Sequence, residues 1–261
     1  MIKRLAIGPG AMGYFIFLGI LSKLKQEGRL DELEEISGSS AGALLAFVYC
    51  LAKGDTTKVL DYSLDFPIKN VTKLNLKNFL LNYGLVPFSR VRDLIQKAPH
   101  EFKIKIDPTF QDLYNFFPVK IHIASFCVDI GKTVYFSVDT HPTMSVIDAL
   151  CASIAVPFYF SPLKLSDGWH YIDGGITETL PGGPFIGKEA IGLRLTWNKP
   201  IPIKDLKSYG RSVFYSTIHL RYNYDDMKSI EINVDDLDLF NYAASNEAKL
   251  RWFLLGYNFS H

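Results

Sequence analysis

Cysteine is scarce in this chain, and its distribution argues against a disulfide-stapled or metal-clustered protein. The 261 residues include three cysteines, Cys50, Cys127 and Cys151, which are widely spaced and set in apolar segments. An odd number of such cysteines indicates buried, reduced thiols rather than a disulfide framework. They also lack the short paired spacings of a metal-ligand cluster, so we expect no metal ion.

An excess of charge of either sign is also lacking. Lys and Arg number 28 against 27 Asp and Glu, which gives a formal net charge of +1. There is therefore no electrostatic argument for nucleic acid or for a strongly acidic partner, and a neutral or apolar substrate is left open. The aromatic content of 14% suits a thick core, and it also supplies side chains that can meet lipid at an interface.

Internal repeats, low-complexity tracts and linkers rich in Pro or Gly are absent too. Nothing in the sequence therefore asks for a domain boundary. A chain of 261 residues with 48% hydrophobic content can bury a substantial core. We predict a single domain over residues 1–261.

The start of the chain superficially resembles a leader or a membrane span. Residues 5–22 carry no charge and follow Lys3 and Arg4. Gly and Pro within residues 8–13 interrupt the run, no A-x-A cleavage site follows it, and Lys23 begins a polar helical end. We interpret the segment as a strand (5–7), a turn (8–13) and a helix (14–26). The expectation is an intracellular protein, soluble or peripherally bound to membrane, with no signal peptide or transmembrane span.

The turn Gly38-Ser39-Ser40-Ala41-Gly42 is the feature around which the chain is organised. It lies between a predicted strand (31–37) and a predicted helix (41–52), so Ser40 sits at the apex of a sharp strand-to-helix turn with its hydroxyl exposed. Gly38 and Gly42 lack the Cβ atoms that would clash in such a turn. The unpaired N–H groups and positive dipole of the helix start, with the Ala41 N–H among them, suit a developing oxyanion.

A second chemical signal lies in the segment LKLSDGWHYIDGG, residues 163–175. Asp167-Gly168 predicts a hairpin turn, and the returning strand delivers Asp173 to its end. Gly174 and Gly175 then let the backbone leave without covering the carboxylate. The alternative is that Asp173 merely caps its own turn.

The remaining segments are assigned from their patterns. We predict helices over 89–97, 109–116 and 144–154, and two strands over 119–129 and 133–137. The apolar residues within 74–88 predict a helix that covers the sheet, and the alternative is a mobile lid or a lipid-entry surface.

Together these blocks resemble the patatin-like phospholipase family over nearly the whole chain. The glycine-rich turn Gly8-Pro9-Gly10-Ala11-Met12-Gly13 precedes the serine turn, and ALCASIAVPFYFSP (149–162) precedes Asp173-Gly174-Gly175. Residues 107–137 are similar to the family's middle strand pair, and residues 236–257 to its closing helix.

The resemblance implies a single three-layer α/β/α domain with a mostly parallel central sheet and the site at the carboxyl ends of the strands. It further implies lipid acyl hydrolysis, with Ser40 as nucleophile and Asp173 as its base, so no histidine and no cofactor is needed. The N–H groups of Gly10, Ala11 and Ala41 are the expected oxyanion hole. The substrate would be a lipid, reached by peripheral membrane contact, and no protein partner is inferred.

Two residues depart from the family's usual Gly-Gly-Gly-x-Arg/Lys-Gly. Pro9 has no N–H, so one expected oxyanion donor is missing. Met12 offers no cation to a phosphate. A neutral glyceride, a lysolipid or another carboxyl ester is therefore a credible substrate, and a catalytically impaired lipid-binding protein is the alternative function.

Two other classes remain as rivals. Gly8-x-Gly10-x-x-Gly13 after a strand matches a dinucleotide-binding fingerprint, but the next strand ends in serines rather than in the acidic residue that would bind a ribose. An α/β-hydrolase triad would need a histidine after Asp173. His219 lies in an alternating aromatic segment and His261 is the final residue, so neither is well placed. For His170, three residues before Asp173, we expect a surface role beside the turn, and the alternative is that it tunes the site.

Overall fold

A computed structural model of the chain describes residues 1–68, 73–199, 203–204, 208–209, 212–213 and 227–259. Its strands are β1 (Arg4–Ile7), β2 (Glu35–Ser39), β3 (Gly84–Val86), β4 (Lys120–Cys127), β5 (Lys132–Ser137), β6 (Phe158–Phe160), β7 (Leu163–Lys164), β8 (His170–Asp173), β9 (Ile191–Thr196) and β10 (Lys228–Asn233). Its helices are α1 (Tyr14–Gln26), α2 (Ala41–Leu51), α3 (Thr56–Asp65), α4 (Leu76–Asn82), α5 (Phe88–Ile95), α6 (Lys97–Glu101), α7 (Phe110–Phe116), α8 (Val146–Ser153) and, last, α9 (Asn246–Tyr257).

The main sheet is mixed and mostly parallel. Within the described ranges its strands run in the order β10-β9-β1-β2-β4-β8-β7, and β5 pairs with β4. The pairs from β10 to β4 are parallel, whereas β5, β7 and β8 pair in antiparallel fashion. Helices flank this sheet, so the predicted α/β class is confirmed. A separate small sheet pairs β3 with β6 in parallel.

Strand β4 brings two distant parts of the chain together. Parallel β2 covers its first part, ending at the pair Ser39 and Ala124. Antiparallel β8 covers its last part, ending at the pair Asp173 and Ser125. Because β5 occupies the other side of β4 from residue 122 to residue 127, β2 and β8 must share one side. Their ends therefore meet head to head beside neighbouring residues of β4.

Helices α1 and α2 supply many of the buried residues of the core. Residues of α2 are buried almost throughout, as expected for a helix that is apolar on every face. Helix α1 packs closely against α9, since a Cβ on Gly19 would lie 2.0 Å from the Phe253 carbonyl oxygen. A Cβ on Gly256 would lie 1.9 Å from the Ile16 carbonyl oxygen. Only glycine allows this backbone-to-backbone contact at both positions.

Two expectations about helices are wrong. The closing helix does not begin at residue 236: it begins at Asn246, where the Ser245 side chain accepts a hydrogen bond from the Ala248 N–H, and turns precede it. Residues 74–88 do not form a helix that covers the sheet either. Helix α4 buries none of its residues, and its leucines face solvent.

Other expectations are confirmed. Helix α1 has the predicted bounds, the three cysteines are buried, and β7 and β8 form the predicted hairpin. No helix in the described part of the chain is both long and apolar enough to cross a membrane.

Candidate active site

Ser40 occupies the sharp turn between β2 and α2. Its backbone has φ 53° and ψ −121°, a strained conformation for any residue with a side chain. The flanking glycines are required by close contacts, because a Cβ on Gly38 would lie 2.5 Å from the Ala43 nitrogen. A Cβ on Gly42 would lie 2.2 Å from the Ile7 carbonyl oxygen. The turn therefore holds the serine at the carboxyl edge of the parallel strands.

The Ser40 hydroxyl donates a hydrogen bond of 2.7 Å to Oδ2 of Asp173. The other carboxylate oxygen, Oδ1, accepts a hydrogen bond of 2.7 Å from the Gly175 N–H. Asp173 is fully buried, and Ser40 is only 8% exposed. The expectation of an exposed serine hydroxyl is thus wrong, because the hydroxyl points inward to the buried carboxylate.

The environment of Asp173 makes its carboxylate unusually basic. Burial destabilises the charged form and raises the pKa to about 7, although the hydrogen bonds from Ser40 and Gly175 act in the opposite direction. An ordinary aspartate has a pKa of about 3.9 and is a much weaker base. The carboxylate can therefore accept a proton from a hydroxyl more readily than an exposed aspartate can.

Several close contacts fix the position of Asp173. The turn between β7 and β8 contains Gly168 at φ 88°, in agreement with the predicted Asp-Gly turn. At the other end of β8 the Asp173 N–H donates to the Ala155 carbonyl oxygen at 2.9 Å. A Cβ on Gly174 would lie 2.1 Å from the Ala124 carbonyl oxygen, and one on Gly175 would lie 2.6 Å from Cβ of Pro9. The two glycines after the aspartate are required by this packing.

Sequence reasoning missed Ser153, which lies at the end of α8. Its hydroxyl accepts a hydrogen bond of 3.0 Å from the Ser40 N–H and donates one of 2.6 Å to the Ala124 carbonyl oxygen. Ser153 is fully buried. It therefore ties the backbone of the strained serine to β4. The available signal was a polar residue in an otherwise apolar helix end, which does not reveal its partners.

The glycine-rich turn, residues 8–13, lies beside Asp173, because Pro9 packs against Gly175. A Cβ on Gly8 would lie 2.4 Å from the Thr179 carbonyl oxygen, and one on Gly13 would lie 2.3 Å from Cδ1 of Leu195. The Met12 N–H donates to the Leu239 carbonyl oxygen at 3.0 Å. The Met12 side chain is only 3% exposed and belongs to the main hydrophobic core.

Three backbone N–H groups of the predicted oxyanion hole have no acceptor among the described residues. They belong to Gly10, Ala11 and Ala41. Ala11 adopts φ 46°, a second strained position close to the serine turn in the fold. Free N–H donors beside a reactive serine are the groups that an oxyanion needs. Their assignment to that role stays a prediction.

Histidine does not take part in the hydrogen bonds of Ser40 within the described ranges. His170 is partly exposed and pairs with Asp129, with 3.2 Å between Nδ1 and Oδ2, so the expected surface role is confirmed. His122 is buried against Glu35, at 3.0 Å from Nε2 to Oε2. His219 and His261 lie outside the described residues.

A strained serine at a strand-to-helix turn, hydrogen-bonded to a basic group beside free N–H donors, is the arrangement of serine hydrolases. The family model for patatin-like phospholipases matches residues 5–186. This match covers more than half of the chain, and the chain belongs to this family.

Individual relatives agree with this assignment. The probable lipid hydrolase 463L of Invertebrate iridescent virus 6 is 24% identical over 184 residues, which are 69% of this chain and 61% of that protein. The NTE family protein Rv1063c of Mycobacterium tuberculosis is 25% identical over 207 residues, which are 77% of this chain and 51% of that protein. The chain thus spans between 51% and 61% of the length of these relatives.

A solved structure shows the same fold. VipD from Legionella pneumophila superposes with a TM-score of 0.57 at 17% identity, covering 98% of this chain and 65% of VipD.

Proposed function

We propose that the protein hydrolyses fatty-acyl carboxyl esters of lipids, with Ser40 as nucleophile and Asp173 as general base. The observation that carries this proposal is the 2.7 Å hydrogen bond from a strained serine hydroxyl to a fully buried carboxylate. Membership of a family of lipid hydrolases supports it. A lipid binder without activity is not favoured, because both members of the pair are present and in contact.

The reaction begins with attack of Oγ of Ser40 on the ester carbonyl carbon. A C–O bond forms, the hydroxyl proton passes to Oδ2 of Asp173, and negative charge develops on the carbonyl oxygen. The free N–H groups of Gly10, Ala11 and Ala41 would stabilise that charge, each by roughly 3 kcal/mol. Because Pro9 supplies no N–H, these three donors carry the whole of that stabilisation in our proposal.

The tetrahedral intermediate then collapses. The bond to the alcohol oxygen breaks, Asp173 returns the proton to the leaving alkoxide, and an acyl ester of Ser40 remains. A water molecule repeats the sequence: it attacks the acyl carbon, gives its proton to Asp173 and releases the fatty acid. Ser40 recovers the proton, so neither a cofactor nor a metal ion enters any step.

Met12 bears on which lipid head groups the site would favour. A buried methionine cannot offer a cation to a phosphate, so the turn gives phospholipids no advantage over neutral glycerides or lysolipids. We propose a lipid ester at a membrane surface, with peripheral contact, and leave the head group to a substrate panel.

The test is the intact mass of the protein after treatment with a fluorophosphonate. We expect one adduct on the wild type, none on Ser40→Ala and slow formation on Asp173→Asn. The matched control is Ser39→Ala, which changes the neighbouring serine and should keep the adduct. A folded wild type that forms no adduct would refute the proposal. If the expected adduct forms, the next step is to compare the hydrolysis of phospholipid, lysolipid and neutral glyceride.

A further inference from the structure

Two exposed aromatic residues share an unusual backbone conformation. Tyr83 has φ 61° and is 70% exposed, and Phe158 has φ 66° and is 68% exposed. Bulky side chains rarely adopt this left-handed region, and strain of this kind concentrates at functional sites. Gly84 pairs with Phe158 across the small sheet, so Tyr83, which directly precedes β3, lies close to the strand that carries Phe158. The fold thus holds two exposed aromatic residues with strained backbones at one end of the small sheet.

Helix α4 extends this exposed apolar surface. Leu76, Leu80 and Leu81 are all exposed, and α4 buries no side chain. The helix is nevertheless held in place, because Nδ2 of Asn78 donates to the Gly84 carbonyl oxygen at 2.6 Å. We call the five side chains the apolar face: Leu76, Leu80, Leu81, Tyr83 and Phe158. A group of large apolar side chains exposed on ordered elements is typical of an interaction site.

The sequence around this face carries charge of one sign. Residues 66–92 contain five basic residues and no acidic one, although the whole chain has a net charge of only +1. Arg92 pairs with Asp148, whereas no carboxylate among the described residues pairs with Lys73, Lys77 or Arg90. Exposed leucines and aromatic rings, flanked in sequence by cations that have no carboxylate partner, fit an anionic lipid surface, into which the rings insert while the cations meet head groups.

The segment that carries Phe158 also contacts the candidate active site. The Asp173 N–H donates to the carbonyl oxygen of Ala155, and Phe158 follows in the same short segment. The ring of Phe160 then packs against Phe88, with 5.6 Å between centroids. A lipid bound at the face would therefore lie beside the segment that fixes the general base.

We propose that the apolar face docks the protein on anionic lipid surfaces, with Tyr83 and Phe158 inserted and Lys73 and Lys77 against the head groups. This inference rests on the proposed function, since it names the surface from which the site would draw its substrate. The occupant is a lipid surface rather than a protein, because the exposed leucines, the aromatic rings and the lysines without a carboxylate partner all suit an interface between apolar chains and negative charge.

The experiment measures co-flotation with vesicles of phosphatidylcholine, alone or mixed with phosphatidylserine. All variants carry Ser40→Ala, so that turnover cannot alter the vesicles. We expect the protein that carries Ser40→Ala alone, the parent, to bind the mixed vesicles more tightly than those of phosphatidylcholine alone. Tyr83→Asn/Phe158→Asn and Leu80→Asp/Leu81→Asp should each weaken that binding roughly tenfold or more. Asn is chosen at the strained positions because it tolerates the left-handed conformation.

Two further variants test the contribution of the lysines and that of an exposed leucine outside the apolar face. Lys73→Gln/Lys77→Gln should remove the preference for phosphatidylserine and leave weak binding to phosphatidylcholine. Leu254→Asp, at an exposed leucine of α9, should bind like the parent. Thermal unfolding confirms that each variant folds.

The proposal is overturned if the folded parent binds neither vesicle, or if both pairs of face variants bind as the parent does. Burial of the face in a stable dimer of the parent would also overturn it. The fluorophosphonate test uses no vesicle, so it can fail while docking holds, and docking can fail while the serine reacts.

Discussion

Ser40 and Asp173 lie 133 positions apart in the chain, and their side chains are joined by a 2.7 Å hydrogen bond because β2 and β8 end head to head along β4. Strands β2 and β8 do not pair with each other, because each pairs with β4. The geometry of the pair therefore depends on β4 and on the groups that fix both strand ends to it.

The raised pKa of Asp173 predicts opposite effects of pH on activity and on stability. The base must be ionised, so kcat/KM for a soluble ester should rise with pH and level off above about 7. The unfolded chain, with an aspartate pKa of about 3.9, binds fewer protons than the folded state between that value and about 7. The free energy of unfolding should therefore fall as pH rises through this window.

The measurement compares wild type with Asp173→Asn. The variant lacks the titrating group, so its free energy of unfolding relative to wild type should increase from about pH 4 to about pH 8 by a few kcal/mol. Chemical denaturation at each pH gives this difference. A difference that stays constant across the window would contradict the raised pKa.

Ser153→Ala should slow the reaction of Ser40 without changing any reacting group. The change leaves the buried Ser40 N–H without its acceptor, which costs about 1–3 kcal/mol, and frees the strained turn to shift. We expect kcat to fall roughly tenfold to a hundredfold with little change in KM, because the loss concerns orientation rather than binding. Rates of fluorophosphonate labelling should fall in parallel.

The matched control is Ser63→Ala. Ser63 is also buried, and its hydroxyl donates to the Val59 carbonyl oxygen at 2.6 Å, away from the serine turn. This variant should lose stability but keep its labelling rate once folded. Equal loss of labelling in both variants would show that Ser153 acts through general stability alone.

Features that depend on local sequence could be predicted, whereas features that depend on tertiary contacts could not. Helix α1 could be predicted to the residue because a glycine-rich turn precedes it and a glycine follows it. The Asp167-Gly168 hairpin was equally readable, since its turn chemistry is local. The chemistry-bearing residues Ser40 and Asp173 stand in such local motifs.

Other features depend on partners that are distant in the chain. Ser153 looks like any small residue of a buried helix until Ala124 is placed beside it. The apolar spacing in α4 is the same for a core helix and for one that faces solvent, so the pattern could not decide between them. The convergence of β2 and β8 on one side of β4 likewise requires the sheet order.

Gly256→Ala should destabilise the protein without direct effect on the site. The added Cβ would lie 1.9 Å from the Ile16 carbonyl oxygen, so α9 must move away from α1. Overpacking of this kind costs about 1–3 kcal/mol, visible as a lower denaturation midpoint. Arg251→Ala, an exposed change on the same helix, should stay within about 0.5 kcal/mol. Similar midpoints for the two variants would argue against the close contact.

Met12→Arg tests why this chain departs from the usual basic residue of its family at this position. Met12 is only 3% exposed and packs in the main core, so an arginine there would carry its charge into an apolar site without a partner. We expect a loss of several kcal/mol in the free energy of unfolding and no gain in hydrolysis of phospholipid over neutral ester. Met12→Leu, of similar volume, should cost less than about 1.5 kcal/mol. Denaturation curves and a two-substrate assay provide both readouts. A stable Met12→Arg protein that prefers phospholipid would instead show that the side chain reaches the substrate.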